Sequence, residues 1–131
     1  GGRLTPAKSI LKELANFRQA AAIAMLADQA PRSSPERHWT RFLNQDTAFF
    51  VVSDMIAKIV KAPVIYVAMR RESPGHYSVE LKLLAEPPYD RDSGPEIVER
   101  YARTLEEEIR RSPADWLWLH RKWKYRKPIY A

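Results

Sequence analysis

Cysteine is absent from the sequence, and glycine occurs only four times in 131 residues. The absence of cysteine excludes disulfides, thiolate nucleophiles and zinc sites built on thiolates. The scarcity of glycine excludes a glycine-rich phosphate-binding loop, and there is no G-x-S-x-G motif of a serine hydrolase. The three histidines, His38, His76 and His120, lack the i, i+4 spacing of a helical metal pair. The sequence therefore predicts no metal site and no cofactor.

Long apolar runs are also absent, since none approaches the ~20 residues that a helix needs to cross a bilayer. The N-terminal part lacks the order of cationic, apolar and small residues that marks a signal peptide. Basic residues, in contrast, are in excess, and the formal net charge is +6 at pH 7. This charge favours anionic partners without distinguishing a membrane surface from a nucleic acid.

The most distinctive stretch is SPADWLWLHRKWKYRK at residues 112–127, with three of the four tryptophans and five lysines or arginines. Pro113 suits the first turn of a helix and predicts a short helix that ends near Lys122. Trp116 and Trp123 share one face of this helix, and we expect that face to pack inward. Tryptophan beside dense positive charge fits a helix packed on the core, an interfacial membrane segment or a nucleic-acid surface.

Hydrophobic periodicity predicts an α/β fold with a mixed β-sheet flanked by helices. Helical spacing of apolar residues occurs at 5–16, 47–60, 93–109 and 113–122. Strand patterns occur at 20–27, 64–69 and 76–83. The first two strands are continuously apolar, so we expect them to be buried on both faces. The third alternates and should pair antiparallel with the second through a turn at Pro74 and Gly75.

Three finer expectations follow from the same patterns. The apolar face of the third strand should be the buried one, and it comprises Tyr77, Val79, Leu81 and Leu83. The polar connection at residues 30–46 is predicted to be a basic loop that acts as a lid, followed by a helix capped by Asp46 or Thr47. Ser93 should cap the 93–109 helix, whose charged side is predicted to be solvated.

Four blocks of the sequence resemble, in order, the bacterial lipid A biosynthesis acyltransferases of the lauroyl and myristoyl type, within the lysophospholipid acyltransferase superfamily. The blocks are MLADQ at 25–29, FLNQDT at 42–47, APVIYVAMR at 62–70 and PADWLWLHRKWK at 113–124. The last is the most specific, because family members commonly end in a similar motif, P-x-x-W-x-W-x-H-R-R-W-K. Many members have glycine where Asn44 stands, and asparagine can adopt the same left-handed conformation.

The resemblance implies transfer of a fatty acyl group from an acyl carrier protein or coenzyme A (CoA) thioester to a hydroxyl of lipid A or a related lipid. In the family a His-x-x-x-x-Asp/Glu motif supplies the general base. None of the three histidines has an acidic residue at that spacing. The expectation is therefore a single, partial domain over residues 1–131, the C-terminal part of a glycerolipid-acyltransferase-like domain. Its catalytic N-terminal half and membrane helix would be absent, and it would be inactive alone.

A partial domain should also expose the sheet face and edge that the absent half would cover, which favours self-association. By resemblance, Asp28 and Gln29 border the active-site crevice, and arginines are candidates to hold acceptor or carrier phosphates. The substrate-binding candidates are Asp28, Gln29, Arg41, Phe42, Arg70 and Arg71. No residue of the chain is assigned a catalytic role.

The C-terminal stretch is expected to lie against an anionic membrane, at the cytoplasmic face of the bacterial inner membrane. The membrane-contact candidates are Trp116, Trp118, Arg121, Lys122, Trp123 and Lys124. Two alternatives stay open: a basic nucleic-acid-binding module and a non-catalytic interaction domain. Nucleic acid is the less favoured partner, because the sequence lacks an RNA-binding sheet signature.

Overall fold

The computed structural model describes residues 5, 9–14, 22–31, 37–90 and 92–127. Its helices are α1 (Ile10–Leu14), α2 (Val52–Val60) and α3 (Glu96–Arg111). Its strands are β1 (Arg37–Phe42), β2 (Gln45–Phe50), β3 (Val64–Ser73) and β4 (His76–Ala85). Within this part of the chain β1 pairs with β2 and β3 with β4, both antiparallel. The α/β class is confirmed, although only α1 represents the predicted helix at residues 5–16.

A β-hairpin, β1–β2, occupies most of the segment that the sequence predicted to be a lid and the start of a helix. Its turn residues Leu43 and Asn44 have positive φ values of 48° and 63°, so asparagine does adopt the left-handed conformation. Thr47 and Phe49 of β2 are buried in the core. The lid prediction is therefore wrong for residues 37–46, and residues 32–36 lie outside the described part. No helix is capped at position 46 or 47.

The hairpin β3–β4 has its turn at Pro74 and Gly75, as predicted, and Gly75 has a φ of 79°. The buried face of β4, however, is the opposite of the predicted one, since Leu81 is 66% exposed. The prediction that β3 is buried on both faces is wrong for one face, where Val67 is 56% exposed. The polar face packs on α3 instead, where Glu108 pairs with the hairpin's basic side chains. Alternation defined the two faces of this strand but not which face has a partner.

Helix α3 is the centre of the core. Its buried apolar residues Val98, Ala102, Leu105 and Ile109 recur every three or four positions and pack against Phe42 and Phe49 of the β1–β2 hairpin. Ile97 packs instead with Ala57 and Ala85. Each of the larger side chains contributes about 1.5–3 kcal/mol on full burial. The start of α3 is capped by Asp54, which accepts hydrogen bonds from the backbone N–H groups of Ile97 (2.9 Å) and Val98 (3.2 Å). The predicted side-chain cap from Ser93 is not formed.

The charged side of α3 is only partly solvated, because it also holds the β1–β2 hairpin. Glu99 accepts a hydrogen bond from the Thr40 hydroxyl and contacts His38 Nε2, both at 2.8 Å. Burial works to raise the pKa of Glu99, but the hydrogen bonds from His38 and Thr40 outweigh it and lower the pKa. Arg103 donates a hydrogen bond to the Arg41 carbonyl oxygen. The prediction of a purely solvated face is therefore wrong for Glu99 and Arg103.

Residues 22–27 form neither a strand nor a helix, so the predicted buried strand is wrong over this range. Residues 20 and 21 lie outside the described part. Most of the segment is exposed, and Leu26 is 85% exposed. A strand buried on both faces needs hydrogen-bonded neighbours and a covering layer on each side. Among the described residues, the sheets pair only β1 with β2 and β3 with β4.

Candidate functional site

The C-terminal stretch starts with a single 3₁₀ turn at Pro113–Asp115 and continues as successive turns rather than as the predicted helix. Two features accompany the absence of the predicted helix. Ser112 makes no side-chain capping hydrogen bond, and Trp116 has an extended backbone with φ −84° and ψ 135°. We call residues 112–127 the tail.

Two tryptophans of the tail pack inward, as expected. Trp123 donates a hydrogen bond from Nε1 to the Thr47 hydroxyl at 2.8 Å, and its ring centroid lies 6.4 Å from that of Phe42. Trp116 packs against the same cluster. Buried tryptophan needs a partner for its N–H, and Thr47 in β2 supplies it. These contacts fix the tail on the β1–β2 hairpin.

Lys122 is buried beside Trp123, although it was predicted to contact a membrane. Its side chain is only 2% exposed. Its Nζ lies 3.8 Å from the ring centroid of Phe49 and donates to the Gln29 carbonyl oxygen at 3.3 Å. Burial lowers the pKa of Lys122 to about 8, and the negative charge of Asp28 opposes this shift. The membrane-contact prediction is wrong for Lys122, because its charge is directed into the protein.

His120 holds the same loop by a second contact. The backbone N–H of Ala30 donates to His120 Nε2 at 2.9 Å. Accepting this bond requires a lone pair on Nε2, so the imidazole is neutral with its proton on Nδ1. Residues 28–31, which we call the acidic loop after Asp28, are thus held by Lys122 and His120.

The charge of Asp28 reaches two tyrosines of the core. Burial raises the pKa of Tyr66 to about 12, with further contributions from Glu108 and Asp28. Burial also raises the pKa of Tyr101, again with a contribution from Asp28. The two tyrosine rings lie 5.7 Å apart between β3 and α3. The negative charge of Asp28 therefore contributes to the raised pKa values of Tyr66 and Tyr101, and it opposes the lowered pKa of Lys122 in the tail.

Residues from all four family-like blocks of the sequence are connected to the acidic loop directly or through the tail. Asp28 and Gln29 belong to the first block, Thr47 to the second, Tyr66 to the third, and His120, Lys122 and Trp123 to the fourth. These residues are up to 95 positions apart in the sequence, yet hydrogen bonds join the loop, Thr47 and the tail, and the charge of Asp28 contributes to the raised pKa of Tyr66. This tail–loop site is the candidate functional site.

The other predicted substrate-binding residues lie in different surroundings. Phe42 is fully buried, with its ring 5.3 Å from that of Phe49, so its visible role is packing. Arg70 pairs with Glu108 at 3.0 Å and with Glu80 at 2.7 Å. Two carboxylates therefore balance the positive charge of its guanidinium group. Arg41 is exposed. Whether any of these residues contacts a substrate stays a prediction.

Arg71 is exposed as well and lies near the hairpin turn, with Nε 3.7 Å from Asp115. Asp28 is half-buried and Gln29 is exposed, so both side chains of the acidic loop keep surface for a ligand. The tail–loop site thus unites two of the predicted substrate-binding residues. The three arginines are distributed over β1 and β3.

Part of the tail does face solvent. Leu117, Trp118 and Leu119 are 65%, 54% and 92% exposed, and Arg121 and Lys124 are exposed beside them. Trp118 donates from Nε1 to the Pro113 carbonyl oxygen at 2.7 Å, which orients its ring. We call Leu117, Trp118 and Leu119 the apolar tip. Of the predicted membrane-contact residues, Trp118, Arg121 and Lys124 have the exposure that such a role requires.

Sequence reasoning missed the roles of Thr47, His120 and Lys122. Thr47 was treated as a helix cap, and the lysine was grouped with its basic neighbours. The available signal was that Lys122 directly precedes Trp123, a residue whose side chain was expected to pack inward. Among the described residues, no helix is long and apolar enough to span a bilayer, and no three acidic or histidine side chains cluster as a metal site would.

Comparison with known proteins identifies the family of this chain. A scan against protein-family models matches residues 1–125 to the family described as bacterial lipid A biosynthesis acyltransferase. Neither the curated proteins nor the solved structures contain a match. The match covers far more than half of the sequence and includes all the residues of the tail–loop site. The chain therefore belongs to the bacterial lipid A biosynthesis acyltransferase family.

Proposed function

We propose that the protein transfers a fatty acyl group from an acyl carrier protein or CoA thioester to a hydroxyl of lipid A or a related lipid. In the reaction the hydroxyl oxygen attacks the thioester carbonyl, the thiol leaves, and a base removes the hydroxyl proton. The family match over residues 1–125 carries the acyltransferase assignment. The connection of residues from all four family-like blocks to one site supports a shared role for these residues in binding the substrates.

We propose that the general base lies in a segment of the acyltransferase domain that precedes residues 1–131. The histidines of this chain have other partners: His120 accepts from Ala30, and His38 is bound to Glu99. His76 contacts the Pro74 carbonyl oxygen at the exposed hairpin turn, 3.2 Å away. The present chain would then supply acceptor and donor binding, with the acidic loop beside the reacting groups.

In this proposal Lys122 and His120 are positioning residues. A loop that borders a reaction must keep its geometry, since a displacement of about 1 Å can cost about 100-fold in rate. The acidic loop is held by two tail side chains, one of them buried. Gln29 then has a fixed backbone and an exposed side chain for the acceptor, while Arg41 is the exposed arginine available to phosphate oxygens.

The apolar tip would enter the cytoplasmic leaflet of the inner membrane. Leucine and tryptophan favour the interface, and Arg121 and Lys124 flank the tip with positive charge. Each well-placed cation contributes about 1 kcal/mol of attraction to anionic lipid, and this attraction weakens with salt. Such binding would place a lipid acceptor next to the tail–loop site.

An acyl-transfer assay with a labelled acyl thioester and lipid A tests this function. We expect activity when the chain is expressed with its upstream coding sequence and none from residues 1–131 alone. Replacing the upstream histidine of a His-x-x-x-x-Asp/Glu motif by alanine should abolish transfer. Activity of residues 1–131 alone would contradict the assignment of the base to a preceding segment.

Vesicle sedimentation tests the membrane contact separately. The protein should bind vesicles that contain anionic lipid, and Leu119→Glu should release it, whereas the exposed Leu81→Glu in β4 should not. A protein that prefers nucleic acid to these vesicles at moderate salt would contradict the proposal and favour the nucleic-acid alternative.

A further inference from the structure

The β3–β4 hairpin has an apolar face without a partner among the described residues. Three cross-strand pairs form this face: Ile65 with Leu83, Val67 with Leu81, and Met69 with Val79. Tyr77 extends it toward the turn. All seven side chains are between 52% and 66% exposed. We call this set of seven the hairpin face.

The opposite side of the same hairpin is fully engaged. Arg70 and Lys82 meet Glu108 of α3 at 3.0 and 2.6 Å, and Tyr66 packs on Tyr101. The hairpin is therefore held by its polar side and cannot turn over to bury its apolar side without breaking these ion pairs. The apolar surface is a property of the folded arrangement and needs an occupant from outside it.

We infer that the occupant is the hairpin face of a second copy of this chain. Seven large side chains that are each more than half exposed offer on the order of 700 Å², close to the ~800 Å² per partner of a standard stable interface. A two-stranded sheet can pack on an identical one at about 10 Å with nearly aligned strands. A two-fold axis through the centre of the face, near Val67 and Leu81, makes each copy complementary to the other.

The charges at the two ends of the hairpin face agree with this symmetry. Arg71 follows the apolar residues of β3 near the turn, opposite Tyr77, and is exposed. Glu86 directly follows β4 at the other end and is exposed as well. When the strands of two copies run antiparallel, Arg71 of one copy lies at the end that carries Glu86 of its partner. A lipid surface would instead favour cations at both ends, as at the apolar tip.

Sedimentation equilibrium at micromolar concentrations tests the inference, both on residues 1–131 and on the protein expressed with the preceding segment of the proposed function. A dimer of residues 1–131 alone, lost when that segment is present, would assign the hairpin face to the segment and overturn the inference. We expect a dimer for the natural sequence, and Leu81→Glu should raise its dissociation constant by about 100-fold or more, because a buried unpaired carboxylate is costly. Leu119→Glu is the matched control, since it introduces the same charge at an exposed leucine of the apolar tip. It should leave the dimer intact while abolishing vesicle binding.

Exchanging the charges at the two ends of the hairpin face provides a second test. Arg71→Glu should weaken the dimer, and adding Glu86→Arg to the same chain should restore it. The circular dichroism of every variant should match that of the natural chain, because the substituted side chains are exposed. A natural chain that stays monomeric, or a Leu81→Glu variant that still dimerises, would overturn the inference. Loss of vesicle binding in Leu81→Glu would also overturn it, since the face would then contact lipid.

Discussion

The two hairpins of this protein use their faces in opposite ways. The β1–β2 hairpin directs Phe42 and Phe49 into the core and receives Trp123 of the tail. The β3–β4 hairpin directs arginine and lysine toward α3 and leaves the seven residues of the hairpin face exposed. Both hairpins pack on the same helix, so the neighbour determines which face is buried. Where α3 presents Glu108, basic residues pack inward, and where it presents apolar residues, aromatic rings do.

The largest expected effect is at the tail's contact with β1–β2. Trp123→Ala should lower the free energy of unfolding by about 3–5 kcal/mol, because it leaves a cavity beside Phe42 and removes the hydrogen bond that the Thr47 hydroxyl accepts. Trp118→Ala is the matched control and should change stability by less than about 0.5 kcal/mol, since Trp118 is largely exposed. Urea unfolding of both variants measures the difference. Equal effects would show that the tail is not fixed by Trp123.

The next largest effect on stability is expected at the ion pairs between Glu108 and the β3–β4 hairpin. Glu108→Gln should cost about 2–4 kcal/mol, because Arg70 and Lys82 would lose their less exposed counter-charge on α3 and keep only the more exposed Glu80. Glu107→Gln, one position along at an exposed site, should cost less than about 0.5 kcal/mol. Similar losses in the two variants would contradict an ion pair that holds β3–β4 on the helix.

The ion pairs of Glu108 also determine how the stability of the fold changes in acid. The hydrogen bond from Arg70 is the main cause that lowers the pKa of Glu108 to about 2, from an ordinary value of 4.5. A carboxyl group with a lowered pKa in the folded state stabilises it above the ordinary pKa, and the contribution is lost as the pH falls. Between pH 4.5 and 2 the natural chain should therefore lose stability more steeply than Glu108→Gln. Parallel acid titrations, followed by circular dichroism, measure this difference.

Lys122 should produce a smaller effect in the same direction, a rise of stability with pH, but in the alkaline range. Burial lowers its pKa to about 8, so the unfolded chain binds more protons than the folded chain above that pH. Stability should then rise by about 2 kcal/mol between pH 8 and 9.5 through this group. Lys122→Met should remove the rise, and Lys61→Met, at the exposed end of α2, should keep it. The raised pKa values of Tyr66 and Tyr101 act in the other direction only above about pH 10. A natural chain without the rise would contradict a buried lysine.

The turn of β1–β2 should give the smallest effect. Asn44→Val should cost about 1 kcal/mol, because a β-branched side chain is strained at a φ of 63°. Asn44→Gly should change stability by a few tenths of a kcal/mol at most, since glycine adopts this φ without strain. Thermal unfolding of the two variants distinguishes them, and equal melting temperatures would exclude a left-handed turn residue.

Local signals in the sequence predicted a substantial part of this fold. The amphipathic spacing along α3, the turn at Pro74 and Gly75, and the inward face of Trp116 and Trp123 each depend on a few neighbouring residues. The left-handed turn at Asn44 was also predictable, from the glycine that many family members have there. These features required no knowledge of the tertiary neighbours.

Other features depend on partners that are distant in the sequence. Strand alternation in β4 was correct, but the buried face was wrong because Glu108 is 26 residues away from Lys82. Residues 22–27 look like a buried strand by composition, yet a strand forms only where an edge and covering layers are available. Lys122 lies inside because the tail turns at Trp116 instead of continuing as a helix. Two of the predicted substrate-binding residues, Asp28 and Gln29, do lie in the tail–loop site.

The central claim is that the tail holds the acidic loop for acyl transfer. The most direct measurement is the acyl-transfer rate of the full-length protein with Lys122→Met, compared with Lys61→Met, at a pH where both variants are folded. The account predicts that Lys122→Met lowers kcat/KM by about tenfold or more, because the acidic loop loses a tether, whereas Lys61→Met keeps the natural rate. Equal kcat/KM values for the two variants would contradict a positioning role for the tail.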